Sequence, residues 1–230
     1  LCREISVNRV VLISSGGTVY GSTHALPIPE TACPEPISSY GVLKLAREHY
    51  LRLYERGSAL SGIVLRVGNP FGPYQESNRN QGVIAAFLNK LIQGDAIELI
   101  GDGETVRDFI YAEDVAESIV QAIDYQGPHR TFNIGSGIGR SLHSLVHDLA
   151  HVHGCTPKIR YLTPRTFDVP AVALDITRAH RELGWTPQVS WFTALEMTHA
   201  WMSARTTAQR NQSGANFVAK KKHIRDTPEE

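Results

Sequence analysis

The chain has 230 residues, 42% of them hydrophobic and 20% charged, which suits one large globular domain or two small ones sharing a core. Its 23 basic and 23 acidic side chains cancel, so charge marks out neither a nucleic-acid interface nor a surface for acidic membranes. Cys2, Cys33 and Cys155 are far apart and odd in number, which argues against a disulfide framework and for a reducing, cytoplasmic setting, and no apolar run approaches a membrane span.

In chain order, Val10 to Ile13 reads as a buried strand that runs into SSGGTVYG (Ser14 to Gly21). Residues Ser39 to Arg56 have helical periodicity, with Ser38 or Ser39 as N-cap and Gly57 as the stop. Ile63 to Val67 predicts a strand, and Val83 to Ile92 a helix ended by Gly94. Strands Ile97 to Ile100 and Val106 to Tyr111 flank the turn at Gly101 to Gly103. A helix over Ala112 to Ile123 precedes a strand over Thr131 to Ile134 and a helix over Ser141 to His153, closed by Gly154. Lys158 to Leu162 reads as one more strand, followed by helices near Thr177 to Leu183 and Trp191 to Arg205. Strands alternating with helices predict a parallel α/β sheet, and the small and polar residues from Thr206 onward predict a disordered tail.

Tyr40 and Lys44 stand four residues apart at a helix start, so their side chains share one face, a turn apart. A phenol, with a pKa of about 10, is a poor base at neutral pH. An ammonium one turn away favours the phenolate and makes it a proton acceptor for a hydroxyl. The competing reading is a tyrosine packed at a helix start beside an exposed lysine. FNIGSGIGRSL imitates a dinucleotide fingerprint, but Arg140 stands where the third glycine belongs, so a tight loop is expected. His143, His147 and His151 have ligand-capable spacing, yet they lie opposite the apolar face of Leu142, Leu145, Val146, Leu149 and Val152, so a solvated face is expected and no metal.

Taken together, SSGGTVYG, PISSYGVLK, LRVGNPFGP, GDGETVRDFIYAEDVA, FNIGSG and ALDITRAHRELGWTP form an ordered set over about residues 9 to 202. The set resembles the extended short-chain dehydrogenase/reductase family, in its NAD-dependent nucleotide-sugar epimerase/dehydratase branch, with UDP-glucose 4-epimerase-like proteins as the nearest match. The resemblance implies the C-terminal part of a Rossmann-type parallel sheet domain plus a smaller α/β substrate-binding lobe. Residues 1–70 with 105–135 would form the first, 71–104 with 136–205 the second, and 206–230 the tail. It implies NAD as cofactor, a UDP-sugar as substrate and a homodimer through the Tyr40 helix. Tyr40 is then the catalytic base, Lys44 holds the nicotinamide ribose, and Gly68 lines the nicotinamide pocket. Asn69, Gln81, Gly82, Val83, Arg107, Arg165 and Asp168 fall where relatives contact the UDP portion. For either arginine alone, a surface salt bridge is the plain alternative. The family's Gly-rich phosphate loop and ribose-binding acid are absent, so about the first hundred residues of the family domain are expected to be missing. The chain as written is expected to be inactive alone.

In the family, a serine or threonine four residues before the strand-end tyrosine bonds the sugar 4-hydroxyl, and that position is Gly16. Thr18 lies two residues on; in an extended strand it points to the same face and supplies the hydroxyl, while Ser15 points to the other face unless the glycines break the alternation. Dehydratases of the branch carry an Asp-Glu pair where Gly17 and Thr18 stand, so epimerisation through a 4-keto sugar is favoured. Val172 falls where some relatives place an aromatic against the sugar, which implies room for N-acetylated hexoses. The alternatives are a sugar-nucleotide dehydratase or reductase of the same fold, and a non-catalytic nucleotide-binding protein.

Overall fold

The structure, a computed structural model, describes residues 7–22, 25–75, 82–163 and 169–207. Strand β1 (Arg9–Ser15) and β2 (Ser61–Val67) lie parallel, joined by helix α1 (Ser39–Glu55). The Ser38 hydroxyl caps α1 by accepting from the Gly41 amide at 3.1 Å, which satisfies one of the orphan donors at a helix start. Strand β6 (Thr131–Ile134) pairs with the other side of β2, giving a parallel sheet of order β1-β2-β6. The inner positions Ile63, Leu65, Phe132 and Ile134 bury against helix α3 (Ala112–Asp124), and Trp185 joins the same cluster.

A second sheet contains β3 (Asn69–Phe71), β5 (Val106–Tyr111) and β7 (Gly139–Ser141), and a third pairs β4 (Ile97–Ile100) with β8 (Ile159–Leu162). Helices α2 (Val83–Gln93), α4 (Leu142–His153) and α5 (residues 191–207) enclose the largest apolar cluster, which includes Phe71, Leu88, Leu99, Phe109, Leu145, Leu149 and Leu195. Gly94 and Gly154 end α2 and α4 in the left-handed conformation, where a glycine costs least. The expected helix near Thr177 is wound mostly as a π-helical turn, Ala179–Leu183. Thr206 and Thr207 still belong to α5, and the rest of the expected tail lies outside the described residues. Among the described residues no helix is long and apolar enough to cross a membrane.

The first two sheets meet at Gly68, which separates β2 from β3. Its amide donates to Ile134 O at 2.8 Å, and a β-carbon placed there would lie 2.6 Å from the carbonyl oxygen of Asp108. The Asp108 side chain is fully buried. One carboxylate oxygen accepts from the Ser136 amide and hydroxyl, both at 2.7 Å, and the other from the amides of Leu174 at 3.0 Å and Gly137 at 3.2 Å. Burial pushes this carboxyl above its ordinary value and the four donors pull against that. The Gly-rich loop thus wraps a carboxylate of its own chain, and it ends in a short antiparallel strand, β7, where the sequence indicated only a loop.

On α4, His147 and His151 are exposed and His143 is half-buried. At the α4–α5 contact, His153 Nδ1 lies 2.9 Å from His199 Nε2. Burial, and then the neighbouring His153, hold His199 below its ordinary value of 6.5. The native state therefore binds fewer protons here than the unfolded chain. The stability from this contact is complete above pH 6.5 and declines as pH falls through the depressed native value. Urea midpoints should drop between about pH 7 and about pH 5, and His199→Gln should flatten that drop; equal slopes for both proteins would contradict the assignment.

Candidate functional site

A cavity of about 540 Å³ opens where the two larger sheets part, a volume suited to a small-molecule ligand. One wall is the start of α1. Tyr40 stands there half exposed, and Lys44, one turn on, donates from Nζ to the Ile13 carbonyl at 3.0 Å. That ammonium also sits 5.5 Å from the centroid of the Tyr40 ring. The backbone end of β1 therefore fixes the lysine beside the phenol. Asn69, Pro70 and Phe71 from β3, with Phe109 from β5, line the cavity, and Gly82, Val83 and Ile84 at the start of α2 line it as well.

The end of β1 departs from the expected extended geometry. The strand stops at Ser15, and residues 16–18 form a turn in which the Val19 amide donates to Ser15 O at 3.2 Å. A β-carbon at Gly16 would lie 2.6 Å from Leu174 Cδ1 and 3.0 Å from Arg66 O, so that position faces the core. Ser15, Gly17 and Thr18 line the cavity instead. Thr18 thus reaches it through a turn, and Ser15 joins it on the same side. The two glycines release the chain from the strand and break the alternation, the condition under which Ser15 shares that face.

Arg107 lines the far wall, its Nη1 donating to the carbonyls of Val106 at 2.8 Å and Val169 at 2.6 Å. Val172 is fully buried in a cluster with Val19, Tyr20, Ile28 and Leu174, so the expectation that it borders the sugar is corrected; among the described residues of this segment, Val169 reaches the cavity. Of the remaining expected site residues, Gly68, Asn69, Gly82 and Val83 line the cavity, and Gln81, Arg165 and Asp168 lie outside the described residues.

Sequence reading missed Gln75, Leu142 and Phe109, all of which line the cavity. Gln75 follows Tyr74, whose φ of 69° turns the chain back toward the cavity. Its Nε2 donates to Pro70 O at 3.3 Å, which leaves Oε1 as a buried acceptor without a partner among the described residues. Thr18 Oγ1 and Asn69 Oδ1 are likewise buried and unpartnered. Buried polar atoms are normally satisfied, and a ligand that brings hydroxyl or amide donors into this cavity would suit these three oxygens; Arg66 Nη1 and Gln121 Oε1, outside the cavity lining, are also unpartnered among the described residues.

The family model described as the NAD dependent epimerase/dehydratase family matches residues 1–135. The chain is 32% identical to a putative UDP-glucose 4-epimerase of Methanocaldococcus jannaschii over 88% of its own length and 65% of that protein's. It is 36% identical to the dTDP-4-dehydro-6-deoxyglucose reductase of Escherichia coli, over 81% of this chain and 58% of that one. In structure it is similar to the UDP-glucose 4-epimerase of Thermotoga maritima, solved with UDP-glucose. The TM-score is 0.85 and the identity 36%, with 90% of this chain and 66% of that chain covered. The chain thus spans less than two thirds of the length of the two curated relatives.

An unpartnered buried hydroxyl costs a folded protein about 1–3 kcal/mol. Thr18→Val keeps the shape and removes that hydroxyl, so the ligand-free variant should melt at the same temperature as the parent or higher in a calorimetric scan. A drop of more than about 3 °C would contradict the view of Thr18 as a group kept for a ligand.

Proposed function

The chain belongs to the NAD dependent epimerase/dehydratase family, and from that footing we propose that it forms the catalytic and sugar-binding side of a UDP-hexose 4-epimerase. The observation that carries this reading is the convergence of three unpartnered oxygens, Thr18 Oγ1, Asn69 Oδ1 and Gln75 Oε1, beside Tyr40 and opposite Arg107. A hexose bears donors for such acceptors, and a diphosphate suits a guanidinium through paired, charge-assisted contacts.

In this reading Thr18 and Ser15 orient the 4-hydroxyl, and Tyr40 takes its proton. Lys44, tied to the Ile13 carbonyl at 3.0 Å, keeps a positive charge beside the phenol as the proton moves. Tyr40 and Gly68 line the cavity and Lys44 sits one turn behind Tyr40, and these three are proposed for the nicotinamide end of NAD. NAD held there would supply a reversible hydride acceptor for sugar C4. For C4 to invert, the 4-keto sugar must present its other face, and Asn69 and Gln75 offer acceptors that hold it while it turns. Arg107 anchors the diphosphate, and Gly82 and Val83 pack over the nucleoside. Gln81, Arg165 and Asp168 are proposed for the same UDP portion on the resemblance alone.

Dehydration needs an extra acid/base pair after the strand end, and Gly17 and Thr18 supply no carboxylate there. Epimerisation needs none, which favours it over the reductase or dehydratase alternative. We further propose a homodimer through α1, where Leu43, Tyr50, Leu53 and Tyr54 are all more than half exposed. Cys33 and Cys155, free and exposed, fit a cytoplasmic setting.

The test is conversion of UDP-glucose to UDP-galactose by the protein expressed from its complete reading frame. Tyr40→Phe should lower turnover by about 10²–10⁴-fold and leave affinity for UDP unchanged. A persistent keto product or net consumption of NAD(P)H would move the reading to a dehydratase or reductase. An unchanged rate in Tyr40→Phe would refute the catalytic assignment.

A further inference from the structure

Glu48 lies on α1 one turn after Lys44 and two turns after Tyr40, and it is 6% exposed. Residues four apart on a helix are neighbours, so Glu48 is placed to capture the Lys44 ammonium. It does not: Lys44 Nζ turns to the Ile13 carbonyl, and Lys44 forms no ion pair among the described residues. The Glu48 carboxylate is already filled from the sheet beneath. Arg66 Nε donates to both of its oxygens at 3.2 Å and Nη2 to Oε2 at 2.7 Å, while the Ser14 hydroxyl donates to Oε1. Ser14 and Arg66 are register partners on β1 and β2, so both rise toward α1 at the same point. The Tyr20 ring lies 4.9 Å from the Arg66 guanidinium carbon and backs it.

The cation one turn beyond Glu48 is engaged elsewhere. Arg52 Nη1 donates to Glu55 at 2.8 Å and to Gly62 O at 3.0 Å, and Nη2 to Arg130 O at 2.5 Å. Without Arg66, the cation one helical turn from Glu48 that has no ion pair among the described residues is Lys44; Arg47, at the adjacent position, faces another side of α1. A buried ion pair is a poor source of stability, since apolar side chains of similar volume hold a helix on a sheet as well. We propose that Arg66 is a positioning residue that sequesters Glu48 and so leaves Lys44 free to serve Tyr40. Removing Arg66 alone draws Lys44 toward Glu48 and away from the phenol. Removing both charges restores it. This asymmetry separates sequestration from simple support, which would make the double substitution no better than the single one.

The inference rests on the proposed role of Lys44, yet its geometry is read without turnover, by the rate at which acetic anhydride acetylates Lys44 in the folded chain, followed by mass spectrometry. In Arg66→Gln the rate at Lys44 should fall by about tenfold as the ammonium becomes ion-paired. In Arg66→Gln/Glu48→Gln it should return to the parental value, and Glu48→Gln alone should leave it unchanged. Where Arg66→Gln does not fold, Arg66→Lys carries the test: one ammonium frees part of the carboxylate, and a smaller fall is expected. Parental labelling in a folded Arg66→Gln or Arg66→Lys protein would overturn the proposal. So would a double variant labelled as slowly as the single one. Turnover reports on a separate question, because restored labelling without restored turnover would count against the role of Lys44 and leave sequestration standing.

Discussion

The backbone of Gly68 presses against the carbonyl of Asp108, and the site depends on that contact. A side chain at position 68 has no space, so β2 can pass from one sheet to the next only through a glycine. On its other side, the buried Asp108 carboxylate gathers the amides of Ser136, Gly137 and Leu174. Three chain segments remote in sequence are thereby brought to one point. Its neighbours on β5, Arg107 and Phe109, line the cavity, so the residue that organises the junction also sets their position. Four donors to one carboxylate replace the water it lost on burial, which makes the arrangement specific as well as compact.

Above this junction the site is incomplete by itself. Asp108, Asp114 and Asn133, buried in the core, find partners for their side chains, whereas three oxygens of cavity-lining side chains have none among the described residues. Such groups weaken the free protein and strengthen the complex, the usual exchange between stability and function. The α1 wall follows the opposite logic. There Glu48 is assigned to Arg66, Arg52 to Glu55, and Lys44 to a carbonyl beside Tyr40. The carboxylates of this wall are paired, although Arg66 Nη1 has no partner among the described residues.

Much of this was legible in the sequence. The bounds of β4 and β6 follow from short apolar runs between glycines, those of β5 from the run between the Gly103 turn and the helical period starting at Ala112, and those of α2 and α4 from periodicity ended by Gly94 and Gly154. The ordered motifs led to Tyr40, Asn69 and Arg107, which the fold brings around one cavity, and to Lys44 one turn behind Tyr40. The failures share a cause. Strands of three residues, β3 and β7, are too short for a period to register. The facing of Ser15 and Thr18 was inferred from alternation, which ends wherever a turn begins, and Gly16 begins one. Val172 and Val169 are both apolar and three residues apart, and only the packing of Leu174 and Ile28 decides which one is buried more deeply. Gln75 carries no local signal, because its role comes from a left-handed Tyr74 and the Pro70 carbonyl.

The central claim is that the cavity beside Gly68 receives a nucleoside diphosphate sugar, with Arg107 on the diphosphate. Titration calorimetry of UDP into the 230-residue chain tests it most directly, with Arg107→Met as the comparison. Saturable one-to-one binding is expected, weakened by about tenfold or more in Arg107→Met. Absence of binding, or equal affinity in the two proteins, would contradict it.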